Sequence, residues 1–185
     1  GRGPICPTQI FPGNDVHGGF GSHVRVPSRG LCPVPDLGRH DLNPSGVDLA
    51  ALSVIADAVS TPYQAIVRSG LGPGDLAVFV GAGGVGGFGV QIAHARGAAV
   101  VALDVDDGKL AEMAKHGADV TINPSSIDFK QLRRLVREAG DSRRIPTWCT
   151  KVFETSGSPT GQTTAFGLIG HGGYLSLVGY TPKAV

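Results

Sequence analysis

Apolar positions along residues 76–178 follow two alternating rhythms. Short apolar runs at 76–80, 99–103, 119–122, 151–154 and 173–178 are separated by stretches whose apolar residues recur every three or four positions, at 85–96, 107–115, 127–138 and 160–168. A short unbroken apolar run fits a strand buried on both faces, and the wider spacing fits a helix with one buried stripe. In the first such stretch the stripe reads through Val85, Phe88, Gln91/Ile92 and Ala95. Strands alternating with helices in this way predict an α/β fold, a doubly wound parallel sheet of the Rossmann type with helices on both faces. Five strands are legible where a full doubly wound sheet of this type uses six. Two further helices are predicted upstream, over 47–56 and 62–69. Residues 1–45 break the rhythm. They are rich in Pro and Gly, and "GGFGSHVRVP" followed by "GLCPVP" predicts short β segments punctuated by turns, the tail of a small β domain.

Between the first strand and its helix stands Gly81-Ala82-Gly83-Gly84-Val85-Gly86, a G-x-G-x-x-G spacing. The spacing alone is weak in a chain with 29 glycines among 185 residues. Its setting is specific: a strand before it, a helix after it, and Asp104 at the carboxyl end of the next strand, about 20 residues on. Gly81 would permit the tight turn, Gly83 the approach of a diphosphate to the backbone, and Gly86 the close packing of helix on strand. Gly84 and Val85 would offer helix-start amides to the phosphates. Asp104 would accept hydrogen bonds from both hydroxyls of an adenine ribose and repel a 2′-phosphate, which favours NAD over NADP. Ligands of such sheets bind beyond the strand carboxyl ends. Thr155, Ser156, Val178 and Gly179 therefore either line the cofactor cleft or are plain strand-end turn residues.

Composition narrows the classes. A formal net charge of +1, with 17% charged residues of both signs interspersed, provides no basic field for nucleic acid. The uncharged runs 76–95 and 155–182 are interrupted by Gly, Gln, His, Ser and Thr, so neither is a membrane span. No signal peptide is visible. Cys6, Cys32 and Cys149 are odd in number and widely spaced, which argues against a disulfide framework and for a reducing cytoplasm. The six histidines form no ligand pair at helical spacing. A start at Gly1 without Met and an end at Val185 just after an apolar strand lead us to expect a piece of a longer polypeptide.

Five segments in fixed order, "GGFGSHVRVP", "DAVSTPYQAI", "GPGDLAVFVGAGGVG", "DVDDGKLAEMAKHGADVTIN" and "GGYLSLVGY", are spread along nearly the whole chain, from residue 18 to residue 180. They resemble the zinc-containing medium-chain dehydrogenase/reductase family, the alcohol-dehydrogenase superfamily. The resemblance implies that residues 1–45 are the C-terminal part of a GroES-like catalytic β domain and residues 46–185 an NAD-binding Rossmann domain. It implies NAD-dependent oxidation of a secondary alcohol to a ketone, on a small-molecule alcohol or acyl-CoA substrate, in a homo-oligomer. Lys109 matches the family lysine beside the adenine ribose, and Thr61 the threonine near the nicotinamide. Asp57 matches the third ligand of the catalytic zinc, or it simply caps the helix containing "VIADAV". An acid among apolar neighbours needs some partner. Cys6 resembles the last cysteine of a second, structural zinc lobe, or is an ordinary thiol. Three segments, "QIFPGNDVHGGFGSHVRVPSRGLCPVP", "VIADAVSTPYQA" and "KVFETSGSPTGQTTAFGLI", resemble more narrowly a branch of the family acting on a cyclic hydroxyacyl-CoA. Two alternatives stay open: another zinc-dependent alcohol or polyol dehydrogenase, and a non-catalytic NAD-binding module that senses redox state. An NADPH enzyme like the quinone reductases is disfavoured by Asp104.

Overall fold

In the computed structural model of the chain, residues 6–182 are described. The chain divides into two compact units, Gly1–Leu49 and Ala50–Val185.

The described part of the first unit contains no strand. Its regular structure is one turn of 3-10 helix, Ser28–Gly30, and a single bridge between Pro12 and Val16. This corrects the expectation of short β segments. Prolines at 7, 12, 27, 33, 35 and 44 each remove a ladder donor. None of the described residues here is buried, so no core holds strands together. Local side-chain bonds shape the loops instead. Asn43, for example, donates to Leu37 O and Val47 O and accepts from Val47 N.

The second unit opens with a 3-10 helix, Ala51–Ala56, where the sequence predicts a longer helix over 47–56. Thereafter helix and strand alternate as predicted: α1 (Ser60–Ser69), β1 (Leu76–Val80), α2 (Gly84–Ala95), β2 (Ala99–Leu103), α3 (Asp107–Lys115), β3 (Val120–Ile122), α4 (Phe129–Asp141), β4 (Thr150–Glu154), α5 (Pro159–Leu168) and β5 (Tyr174–Leu177). The five strands form one sheet in the order β3-β2-β1-β4-β5, every pairing parallel. This is the Rossmann-like α/β fold. Among the described residues no helix is long and apolar enough to cross a membrane.

Helix boundaries follow from capping. Asp106, Asp128 and Ser158 each accept a backbone amide of the helix they precede. Gly70 ends α1 in the left-handed conformation. Strand alternation distributes the core over both faces of the sheet. Ala77, Phe79, Val100 and Ala102 pack with α1, α2 and α3 residues, while Leu76, Val78, Val80, Val101 and Leu103 pack with Leu132, Val136 and Leu168 of α4 and α5.

One helix departs from its sequence stripe. The buried face of α2 is Gly86, Gly87, Gly89, Val90 and Ala93, whereas Val85, Phe88 and Ile92 are half-buried and Gln91 and Ala95 are exposed. The cause is the Phe79 ring, stacked on Phe153 at 4.9 Å between centroids. A side chain at position 89 would overlap that ring, so the helix settles on its glycines.

At the opposite end of β1, Lys151 Nζ lies 2.8 Å from Asp75 Oδ2, with the two side chains 13% and 15% exposed, and Asp75 also accepts from Gly72 N. Removing one member of a buried pair leaves the other unpaired. Lys151→Met is therefore expected to cost about 2 kcal/mol, less than the ~3–5 of a fully enclosed pair, read as a lower urea midpoint.

Candidate functional site at the strand carboxyl ends

The glycine turn leaves β1 at Gly81, which adopts a φ of +103°. A Cβ there would lie 2.7 Å from Ser156 N and Cα, so both conformation and close approach demand glycine. The turn is braced from two sides. On the β2 side, Gly81 N donates to Leu103 O at 2.8 Å and Ala82 N donates to Asp104 Oδ2 at 2.7 Å. On the β4 side, Thr155 N donates to Val80 O at 2.9 Å, and the Thr155 hydroxyl donates to Gly81 O at 2.7 Å. Gly86 closes the packing, because a Cβ there would overlap Gly81 O and sit 2.7 Å from Thr155 Oγ1.

Gly83 and Gly84 differ from these two. A Cβ at either position would meet no protein atom within 4 Å. Gly83 caps α2 with no side-chain acceptor, and a helix's first amides lack intrahelical partners. Those donors, together with the positive end of a 12-residue helix, suit a phosphate group. Val85 sits half-buried in this first turn.

Asp104 is held rather than free. Its side chain is 9% exposed. Besides Ala82 N it accepts from Asp106 N at 3.0 Å, and Lys109 Nζ stands 3.9 Å from Oδ1. A cavity of about 150 Å³ opens beside it, lined among others by Gly81, Asp104, Val105, Pro124, Ser156 and Thr164. That volume is below the roughly 300–1,000 Å³ of clefts that enclose a drug-sized molecule, so it takes part of a ligand. A larger open depression of about 740 Å³ runs along the charged flank of α4, but none of its lining residues comes from a strand end or the glycine turn.

Of the sequence candidates, Gly81, Asp104 and Ser156 line the cavity, and Lys109 Nζ stands 3.9 Å from Asp104 Oδ1. Thr155 braces the glycine turn. Val178 N and Gly179 N both donate to Glu154 O at 2.9 Å. Glu154, which the sequence reading passes over, is wholly buried at the end of β4. The available signal was a lone acid closing the apolar run of "KVFE".

Asp57 and Thr61 meet each other: the Thr61 hydroxyl donates to Asp57 Oδ1 at 2.7 Å, and Thr61 N donates to Asp57 O. Asp57 is exposed, with its partner supplied by α1. Cys6 is exposed, and a hydrogen bond with the Thr8 hydroxyl lowers its thiol pKa. Among the described residues no three His, Cys, Asp or Glu side chains converge to hold a metal. Asp57 would thus bring a single carboxylate to any zinc site, and these residues alone do not build one.

Residues 84–185, more than half of the chain, match the zinc-binding dehydrogenase family. The chain belongs to that family. Within this zinc-binding dehydrogenase group it is similar to two alcohol dehydrogenases of Geobacillus stearothermophilus. One is 34% identical over 124 residues, 66% of this chain and 34% of the relative. The other is 30% identical over 187 residues, 100% of this chain and 50% of the relative. Among solved structures, the alcohol dehydrogenase of Aeropyrum pernix superposes with a TM-score of 0.80 at 28% identity, over 97% of this chain and 49% of that one. Galactitol-1-phosphate dehydrogenase of Escherichia coli, at 23% identity and a TM-score of 0.81 over 98% and 48%, shares the fold. The chain spans no more than half the length of these relatives. The matched part corresponds to the NAD(P)-binding domain of that family.

Proposed function

We propose that the intact protein is an NAD-dependent dehydrogenase that oxidises a secondary alcohol to a ketone, with 6-hydroxycyclohex-1-ene-1-carbonyl-CoA as substrate. The product is the 6-oxo acyl-CoA, a step of anaerobic benzoyl-CoA degradation. The observation that carries the cofactor half is Asp104, a nearly buried carboxylate 2.7 Å from an amide of the glycine turn and beside the cavity. The substrate half rests on the three sequence segments that resemble this branch. The reaction balances as alcohol plus NAD⁺ giving ketone, NADH and a proton. The helix-start amides of α2 would hold the diphosphate, Asp104 and Lys109 would hold the adenine ribose, and Thr61 would serve the nicotinamide end. Zinc, when bound, polarises the substrate hydroxyl, and Asp57 is the donor this chain would contribute. The nicotinamide would supply the hydride acceptor, so the protein's share would be orientation and electrostatics. We further propose a cytoplasmic homo-oligomer.

The alcohol dehydrogenases among its relatives favour a second reading, another zinc-dependent alcohol or polyol dehydrogenase. Intact protein supplied with NAD and either the cyclic hydroxyacyl-CoA or simple alcohols decides between them. NADH formed with the acyl-CoA alone is the expected result. Turnover of simple alcohols alone would replace the acyl-CoA assignment, and absence of turnover with zinc-loaded protein on both would favour a redox-sensing module.

A further inference from the structure

We infer that Glu154 is a positioning residue for the nucleotide, tying together the two strand-end segments that flank the cofactor cleft. The inference rests on the NAD-binding reading above. Glu154 ends β4 with 0% exposure. Its Oε1 accepts three donors: Ser156 N at 2.8 Å, the Ser156 hydroxyl at 2.6 Å and Gly157 N at 3.1 Å. Its backbone oxygen accepts Val178 N and Gly179 N. One residue thus grips the turn after β4 with its side chain and the turn after β5 with its main chain.

The grip extends to the cavity. Ser156 lines it, and Ser156 N and Cα are the atoms that would lie 2.7 Å from a Cβ on Gly81. The position of Ser156, set by Glu154, therefore fixes one side of the glycine turn. Glycines surround the carboxylate: a Cβ on Gly161 would lie 3.0 Å from Oε1, and one on Gly179 would lie 2.6 Å from Oε2. A buried carboxylate is tolerated when several donors converge on it, and the same bonds make it a rigid anchor.

Oε2 has no hydrogen-bond partner among the described residues. That asymmetry yields a discriminating variant. In Glu154→Gln the amide oxygen can keep the three donors at the Oε1 position while the NH₂ takes the place of Oε2, where no existing bond is lost. Glu154→Ala loses all three.

The test uses the intact protein, with NADH binding followed by fluorescence and KM for NAD compared with kcat. Glu154→Ala should raise the NADH dissociation constant and KM for NAD about tenfold with kcat changed less than about twofold, and Glu154→Gln should return both constants to within about threefold of wild type. Should Glu154→Ala not fold, Ser156→Ala removes one donor from Oε1 and should raise the dissociation constant about threefold in a variant that still folds with a somewhat lower melting temperature. Unchanged NADH binding in folded Glu154→Ala, or in Ser156→Ala where that variant stands in, overturns the inference. So does a Gln variant as impaired as Ala. Wild-type protein that binds no NADH overturns the nucleotide reading and this inference with it, whereas wild-type binding with an unaffected Glu154→Ala overturns this inference alone.

Discussion

Gly86→Ala is expected to lower the melting temperature by roughly 6–12 °C and to weaken NAD binding at least about 100-fold. The added methyl has nowhere to go. It would overlap the carbonyl oxygen of Gly81 and stand 2.7 Å from Thr155 Oγ1. Neither neighbour yields cheaply, because Gly81 is pinned by its bonds to Leu103 O and the Thr155 hydroxyl. The remaining route is for α2 to lift from the sheet, which would separate its glycine face from the stacked Phe79 and Phe153 rings. Overpacking costs about 1–3 kcal/mol in ordinary cores and more where backbone is the obstacle. About 3 kcal/mol gives the stated shift at roughly 2–4 °C per kcal/mol for a chain of this size. Gly83→Ala is the instructive contrast. Its φ of −72° suits any residue, and its methyl would meet no protein atom within 4 Å. It should melt like wild type yet bind NAD more than about tenfold more weakly, because the methyl would occupy the path of the diphosphate. Thermal melts and NADH titration of both variants separate a glycine required by the fold from one required by the ligand. Equal NAD affinity in Gly83→Ala and wild type would remove the ligand explanation for that position.

The sheet and its order of elements were legible because the signals were local. The bounds of β1, β2 and α3 agree with the predicted ranges, each strand being a five-residue apolar run and α3 starting at its Asp106 cap. The orientation of α2 was not legible. Its glycine face is selected by the shape of Phe79, ten residues away in sequence and visible only once strand and helix meet. The strands expected before residue 46 failed for a related reason, since pairing depends on partners that local alternation does not specify. At the site, the sequence singled out the residues with familiar spacing but not what each one holds. Asp104 was read for its reach to a ligand, and the structure adds its bond to Ala82. Thr155 stood open between cleft lining and strand-end turn, and the structure adds its hydroxyl bond to Gly81 O. Glu154 escaped notice because a single acid after an apolar run reads as a strand terminus, whereas its importance comes from donors on two separate turns.

Asp104→Ser should weaken NAD binding about 100-fold and shift the NADP-to-NAD affinity ratio toward NADP by at least about tenfold. Two ribose hydroxyls on a carboxylate amount to two charge-assisted bonds at about 1.5–3 kcal/mol each, and each 1.4 kcal/mol is a factor of ten. Serine is too short to replace both. Removing the charge also removes the repulsion that a 2′-phosphate would meet, and it releases Lys109, 3.9 Å away, to pair with that phosphate. The same substitution has a second consequence within the protein itself. Ala82 N loses an acceptor at 2.7 Å and Asp106 N one at 3.0 Å, so the turn should loosen and stability fall by about 1–2 kcal/mol even without nucleotide. The two effects separate by measurement, since loosening the turn weakens both nucleotides alike and leaves their ratio untouched. A changed ratio therefore reports contact between Asp104 and the ribose, while a lower melting temperature with an unchanged ratio would reduce Asp104 to a clasp on the glycine turn.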